Sequence, residues 1–384
     1  MTQPPDDLDA LIGQLNASGT ADAPLDQSSR VEDWLAHVVR VRGSDLLLVA
    51  GSAPMVRIDG RLHAVADLVL DGDEIAAMMT PLLPAHAAKH FHATGIADAS
   101  LRLPALGRFR VNLHHERGRA AAAIRVLPTR VPTVAELNLP TEIEQLSKLS
   151  RGLVLIGGAT GSGKTTTLAA LVDAINRRDS KHIITVEDPV EYEHAHHAGL
   201  VEQVEVGIDA PDFPTALRAA VRQAPDILVI GEMRDPDSMR IALSAAETGH
   251  LVFSSVHTTD VTATIGRICD SFPNERQNTI RQELSLALSA LVTQWLVPKV
   301  GGGRVPAVEV LRVSYGARQH IRKNALQHLH QEITITRREG SFTFEESLAQ
   351  LVRQGRLSID EARARARHRE ELDGLLAAHR DTRG

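Results

Sequence analysis

The sequence predicts a mostly parallel, doubly wound α/β domain with a smaller α+β domain ahead of it. Three observations carry this. From about residue 141, short apolar runs alternate with helical patterns, the grammar of strand–helix–strand units. A glycine-rich knot, "GGATGSGKTTTLAA", joins one such strand to one such helix. Before residue 128, strand patterns are instead joined by glycine turns and a hairpin signal.

Residues 1–28 are rich in Asp, Gln, Ser, Pro and Ala and read as a disordered tail, with "LDALIGQL" sufficient for a turn or two of helix. The first domain spans 29–127. "SSRVEDWLAHVVRV" offers a serine cap, acids in the first turn and apolar residues at helical spacing. "SDLLLVAGSAPMVRIDGRLHAV" gives two short strands, broken at Gly51-Ser52 and turned at Asp59-Gly60. "DGDEIAAMMTPLLPAHAAKHFHATG" is helical with a proline break, and "ASLRLPALGRFRVNLHHERGRAAAAIRVLP" reads as three strands. "PTRVPTVAELNLP", residues 128–140, holds three prolines and reads as a linker.

The second domain, 141–315, opens with a helix over 141–150 and the apolar strand "GLVLIGG". A helix from Lys164 to about Arg178 and the strand in "HIITVEDP" follow. "DILVIGEMRD" and residues 251–256 of "ETGHLVFSSVHTTD" supply two further strands. From 316 to 384 the pattern is mostly helical and charged, apart from a strand-like "EITITRREGSFTF".

Composition narrows the function classes. A formal charge of -6 argues against a dedicated non-specific nucleic-acid binder. The single cysteine, Cys269, rules out a disulfide framework or a four-cysteine zinc site within one chain and points to a reducing, cytosolic home. No apolar run approaches the ~18 residues a spanning helix needs, and "MTQPPDDLDA" lacks the order of a secretory signal. The expectation is a cytoplasmic protein with no membrane insertion, any membrane role coming through partners.

Gly158, Gly163, Lys164 and Thr165 fit G-x-x-x-x-G-K-[ST], with Ala159, Thr160, Gly161 and Ser162 completing the loop and Thr166 following it. A buried strand enters and a helix leaves, the context the motif requires. Glycines let backbone N–H groups converge on phosphate oxygens, and the helix start adds the positive end of its dipole. Lys164 is placed to reach the β- and γ-phosphates and Thr165 to ligate Mg²⁺.

Further residues fall at strand tips, where open parallel sheets bind ligands. "VEDP" ends a strand in Glu187 and Asp188, whose side chains point to opposite sides. Glu187 is the one set to face the γ-phosphate as base or water-positioner. Glu232 ends "DILVIGE" where a metal-holding carboxylate belongs, although Asp is the commoner residue there. His250 and His257 flank the 251–256 strand, and both could hydrogen-bond a γ-phosphate. A zinc pair is disfavoured by their spacing and by the lack of a nearby cysteine.

These segments in this order resemble the ATPase superfamily of type II secretion and type IV pili, most closely its pilus-retraction, twitching-motility branch. The resemblance runs from about residue 30 to about 355 and rests on the Walker A loop, "VEDPVEY", "GEMRD" and "TGHLVFSSVHTTD". It implies a RecA-like P-loop core behind a PAS-like N-terminal domain. It also implies Glu187 as catalytic glutamate, Glu232 as Mg²⁺-linked glutamate, and His250 and His257 as the His-box pair. "RFRVNLHHERGRAAAAIRVLP" resembles the family's arginine-bearing segment, so Arg110, Arg117 and Arg125 become candidate arginine fingers.

The resemblance further implies a homo-hexameric ring. Nucleotide would lie between the two domains, 128–140 would be a hinge, and an inner-membrane platform protein would be the partner at the pilus base. Assembly and type II secretion members usually carry an extra N-terminal domain and a four-cysteine insert, for which this chain has neither the length nor the cysteines. One departure stands out. "GARQHIRKNAL" keeps Arg318, Ile321 and Arg322 of the retraction branch's C-terminal signature but puts Lys323 at its acidic position.

The expected function is therefore an ATP-hydrolysing motor for pilus retraction. The alternatives are an accessory pilus or type II secretion-type ATPase, a nucleic-acid motor on the same core, and a non-hydrolysing regulatory nucleotide binder. His86, His90, the "EYEHAHHAG" histidines and the arginine-rich "DEARARARHREELDGLLAAHR" helix read as solvated surface.

Overall fold

The computed structural model describes residues 27–378. The tail expected over 1–28 lies, but for Gln27 and Ser28, outside the described residues. The chain divides into two compact units between Leu127 and Pro128.

The first unit is a six-stranded antiparallel sheet with helices packed on it. In chain order it contains α1 (Gln27–Arg40), β1 (Asp45–Val49), β2 (Met55–Ile58), β3 (Arg61–Ala64), α2 (Gly72–Met79), α3 (Ala85–Thr94), β4 (Ile96–Leu103), β5 (Gly107–Glu116) and β6 (Arg119–Val126). The strand order is β3-β2-β1-β6-β5-β4. Val31, Leu35 and Val38 of α1 meet Leu46, Leu48, Phe109, Val111 and Ile124 of the sheet in one buried core.

Two local expectations are corrected here. The helix starts at Gln27, upstream of the serines read as its cap. The 45–64 stretch makes three strands rather than two, because Asp59 (φ 47°) and Gly60 (φ 82°) form the tight left-handed turn that pairs β2 with β3.

The second unit is a seven-stranded sheet ordered β13-β12-β7-β11-β10-β8-β9. Its strands are β7 (Gly152–Gly157), β8 (His182–Glu187), β9 (Leu200–Glu205), β10 (Ile227–Ile230), β11 (Leu251–Val256), β12 (Leu288–Pro298) and β13 (Arg304–Arg312). Only the β12–β13 hairpin is antiparallel. Its helices are α4 (Thr141–Gln145), α5 (Lys164–Arg178), α6 (Phe213–Ala220), α7 (Pro236–Glu247), α8 (Val261–Asp270), α9 (Asn274–Ala287), α10 (Tyr315–Arg322), α11 (Leu329–Ile335), α12 (Phe344–Arg353), α13 (Ile359–Arg365) and α14 (Arg369–Ala377).

Period-2 alternation makes the sheet two-faced. Leu153 and Leu155 of β7 enter the core under α6, α7, α8 and α9. Val154 and Ile156 enter the core on the opposite face, with Leu168, Leu171 and Ile175 of α5. Because both faces are covered, β7, β10 and β11 are wholly buried; β7 and β10 read as continuous apolar runs, and β11 carries the buried Ser254 and Ser255, which donate to the Ile230 and Gly231 carbonyls.

Three expectations change in this unit. The helix expected over 141–150 is a short α4 followed by a 3₁₀ turn at Leu146–Lys148. The proline-rich segment 128–140 has no helix or strand, yet Val134 and Leu139 are buried beside Val154 and Ile156, which leaves only 128–133 unanchored by core packing. "EITITR" is helical, in α11 and the 3₁₀ turn Thr336–Glu339 that follows it, rather than a strand, because Leu329 and Ile333, one turn apart, both enter the core. Burial there overrides the β-propensity of an alternating, β-branched run. What survives of the strand is one bridge, Val310 with Phe342.

Candidate active site

The glycine-rich loop follows β7 at the C-terminal ends of the parallel strands, where ligand-binding residues collect. Gly163 (φ 90°) occupies the N-cap of α5 without a side-chain cap, which leaves the first-turn N–H groups of that helix for an external acceptor.

The loop is braced from β12. Gln294 accepts a hydrogen bond from Thr167 Oγ1 at 2.8 Å and donates one from Nε2 to the Ser162 carbonyl at 2.7 Å. A Cβ on Gly158 would lie against Ser162 Oγ and 2.6 Å from the Gln294 carbonyl oxygen. Because that oxygen belongs to a central strand and cannot yield, Gly158→Ala is expected to cost about 1–3 kcal/mol. Urea denaturation measures this; an unchanged midpoint would mean the loop has slack.

Lys164 Nζ donates to the carbonyls of Gly158 (2.9 Å) and Ala159 (3.1 Å) and stands 3.5 Å from His257 Nδ1. Burial pulls its pKa below the usual lysine value, opposed by the Glu191 carboxylate. His257 Nε2 lies 3.0 Å from Glu232 Oε2, and Arg234 forms an ion pair with the other Glu232 oxygen. A carboxylate on Nε2 and an ammonium at Nδ1 assign the proton of a neutral ring to Nε2. Burial, then the Lys164, Arg234 and Arg267 charges, push the His257 pKa below its usual value, in keeping with that neutral form. Lys164, His257, Glu232 and Arg234 thus form one connected chain.

Glu187 sits at the tip of β8 and lines a cavity of about 20 Å³ with Thr165, Tyr192, His194 and Gly231, about the space of one water. Its Oε1 accepts from Thr185 Oγ1 at 2.7 Å and from Gln203 Nε2 at 3.3 Å. Burial pushes its carboxyl pKa up despite those two donors. Tyr192 Oη is 3.0 Å from Thr166 Oγ1, tying the cavity wall to the phosphate loop. Asp188, next along the chain, is exposed.

His250 is not brought to this site. It precedes β11 while His257 follows it, so the two are roughly 20 Å apart at strand rise. His250 Nδ1 donates instead to the Ala245 carbonyl at 3.0 Å, and its joint reading of one γ-phosphate with His257 is not available within this chain.

The three arginines all lie in the first unit. Arg110 and Arg125 face each other across β5 and β6. Arg125 Nε donates to Asp45 at 2.8 Å, whereas Arg117 stands at the β5–β6 turn beside Glu116 with its side chain 82% exposed. Lys323 is the C-cap of α10, and Arg318 of the same signature donates to the Ser285 and Leu286 carbonyls near the end of α9.

The sequence reading missed Gln294 and Gln203, whose partners lie far along the chain or across the sheet, and Thr185, whose partner Glu187 is two places along the same strand. Arg234, two places beyond Glu232 in "GEMRD", could have been suspected from its position. His194, read as solvated, is instead half-buried: burial pulls its pKa down to about 4, and its backbone N–H donates to Gln203. His86 and His90 are exposed as expected. Among the described residues no cluster of three His, Cys, Asp or Glu could hold a metal, and no helix is long and apolar enough to cross a membrane.

Comparison with known proteins converges on one family. The family described as "Type II/IV secretion system protein" matches residues 133–368, which contain the whole strand-tip constellation. The type IV pilus retraction ATPase PilT of Pseudomonas aeruginosa is 39% identical over 337 residues, covering 88% of this chain and 98% of its own. The type IV pilus ATPase PilU of the same organism is 35% identical over 342 residues, covering 89% and 90%. The crystal structure of the pilus retraction motor PilT with bound ADP superposes with a TM-score of 0.82 at 38% identity, covering 89% of this chain and 98% of its own. With its RecA-like core, its antiparallel α+β N-terminal unit and its phosphate loop, the chain belongs to the type II/IV secretion system protein family and is one of its ATPases.

Proposed function

We propose that this chain is the ATP-hydrolysing motor of type IV pilus retraction, working as a homo-hexamer. The observation that carries the hydrolytic part is the contact chain Lys164–His257–Glu232, set beside Glu187 at the strand tips. Lys164 and the N–H groups of residues 158–166 bind the phosphates. Glu187, kept basic by its elevated pKa, orients and deprotonates the attacking water. Once Lys164 turns to phosphate, His257 takes up a proton at Nδ1 and donates it to a γ-phosphate oxygen while Nε2–H stays on Glu232. Such catalysis is positioning plus charge stabilisation.

A Mg²⁺ ion suits the donor set. The Thr165 hydroxyl and the Glu232 carboxylate are hard oxygens, and Mg²⁺ asks for only one or two protein oxygens beside phosphate and water. When bound it neutralises charge on the β- and γ-phosphates.

Arg110, Arg117 and Arg125 of the first unit are proposed to complete a site in the ring. Residues 128–133 flex as hydrolysis moves one unit against the other. The partner is an inner-membrane platform protein at the cytoplasmic face of the pilus base. Retraction, rather than an accessory role, is supported by the 39% identity and 98% coverage of PilT against 35% and 90% for PilU.

Deleting the gene and restoring it with wild type or Lys164→Ala tests this reading. Hyperpiliated cells that do not twitch, rescued by wild type alone, are expected. Bald cells would mean assembly, and unchanged twitching would mean an accessory role; either outcome contradicts the proposal.

A further inference from the structure

The arginine-rich C-terminal stretch, which reads as solvated surface in the sequence, reaches back to the catalytic loop. Arg367, between α13 and α14, donates a guanidinium hydrogen bond to the carbonyl of Thr259. Thr259 is two residues beyond His257, in the loop between β11 and α8.

That loop is pinned at several points. Arg267 donates to the His257 carbonyl at 3.0 Å, Thr258 Oγ1 is 2.6 Å from Thr264 Oγ1, and Asp260 caps α8 through the Ala263 N–H at 2.7 Å. Those three anchors come from α8 itself. The Arg367 anchor comes from a segment more than a hundred residues downstream.

Arg367 is an exposed residue, its side chain 30% accessible, but its guanidinium is held on several sides. Its guanidinium lies 4.4 Å from the Trp295 ring centroid and 5.4 Å from that of Phe344, close enough for cation–π attraction to both. It also stands 3.5 Å from Glu309, a buried carboxylate that accepts from Thr293 Oγ1 at 3.1 Å. Burial pushes the Glu309 carboxyl pKa up, and the Arg367 charge opposes that. The backbone N–H groups of Arg367 and His368 both donate to buried Glu345, at 2.8 and 2.9 Å, which aims the side chain before it makes any contact. Trp295 adjoins Gln294, the brace of the phosphate loop.

We propose that Arg367 is a positioning residue for hydrolysis: by holding the Thr259 carbonyl it sets His257 against Lys164 and Glu232, so turnover depends on how α12 to α14 are seated. The inference rests on the reading of His257 as a phosphate-site residue. It gives the C-terminal region a way to report its own contacts to the nucleotide.

The test is a double-mutant cycle on the full-length protein, read as phosphate release across ATP concentration. Arg367→Ala is expected to lower kcat about tenfold, the loss of one charge-assisted hydrogen bond, with KM for ATP changed less than twofold. Arg367→Lys, which keeps one donor but loses the planar stack, should recover part of that loss. In a His257→Ala background, Arg367→Ala should have no further effect, because the two act through one loop.

Additive losses in the double variant would overturn the proposal, as would wild-type kcat in Arg367→Ala. Should Arg367→Ala melt early, the partial kcat loss of Arg367→Lys must itself vanish in the His257→Ala background or the proposal fails. If His257→Ala alone leaves turnover unchanged, the reading of the site fails instead, which separates the two failures.

Discussion

Replacing Lys164 with alanine is expected to cut phosphate release on the order of a hundredfold or more while leaving the protein folded. The rate effect follows from charge. Lys164 is the ammonium at the glycine-rich loop, and removing one donor aimed at developing transition-state charge costs about 10²–10³ in rate. The stability effect has the opposite tendency. Burial pulls the Lys164 pKa down, so a charged lysine at neutral pH is held in the folded state at a cost.

A base with a lowered folded pKa destabilises the fold below that pKa, and the penalty is relieved as pH rises through it. Alanine removes the penalty together with the hydrogen bonds to Gly158 and Ala159, so the melting temperature at pH 7 should stay within a few degrees of wild type. Turnover near the wild-type rate would remove Lys164 from the chemistry. A collapsed melting temperature would make it a scaffold residue.

Replacing Glu187 with glutamine should separate binding from chemistry. The amide carbonyl can still accept from Thr185 and Gln203, which donate at 2.7 and 3.3 Å, so the local geometry persists. The general base is gone, and the expected fall in kcat is about 10²–10⁴. Burial raises the Glu187 pKa in the folded protein above its ordinary 4.5. Between those two values the folded state holds a proton that the unfolded state has released, so wild-type stability declines as pH rises through the window. Glutamine has no such proton. The variant should therefore match wild type below pH 4.5 and melt higher than wild type at pH 8. Equal melting temperatures at pH 8 would mean that Glu187 carries no desolvation penalty.

Why these residues were legible, and others not, is a matter of range. The phosphate loop is local: a strand, a glycine turn and a helix within "GLVLIGGATGSGKTTTLAA" specify their own geometry. Glu187, Glu232 and His257 each follow a buried apolar run, and the rule that ligands sit beyond strand ends places them. The same pattern misled for His250, since a histidine on either side of a strand looks equivalent in sequence although a strand has two distant ends.

Gln294 and Arg367 were beyond reach for a different reason. Gln294 sits in an apolar run that reads only as core, and Arg367 sits in a charged run that reads only as surface. Each acts on residues more than a hundred positions away. The β-branched alternation of "EITITR" shows the complementary failure. There a local pattern for strand yielded to the burial of Leu329 and Ile333 on one helical face.

The hydrolytic site is tested most directly by measuring ATP binding and phosphate release side by side on wild type and Glu187→Gln, with a fluorescent ATP analogue reporting affinity. The structure predicts that the variant binds nucleotide within a few-fold of wild type and releases phosphate at about 1% of its rate or less. Phosphate release at close to the wild-type rate by a folded, nucleotide-binding variant would contradict it.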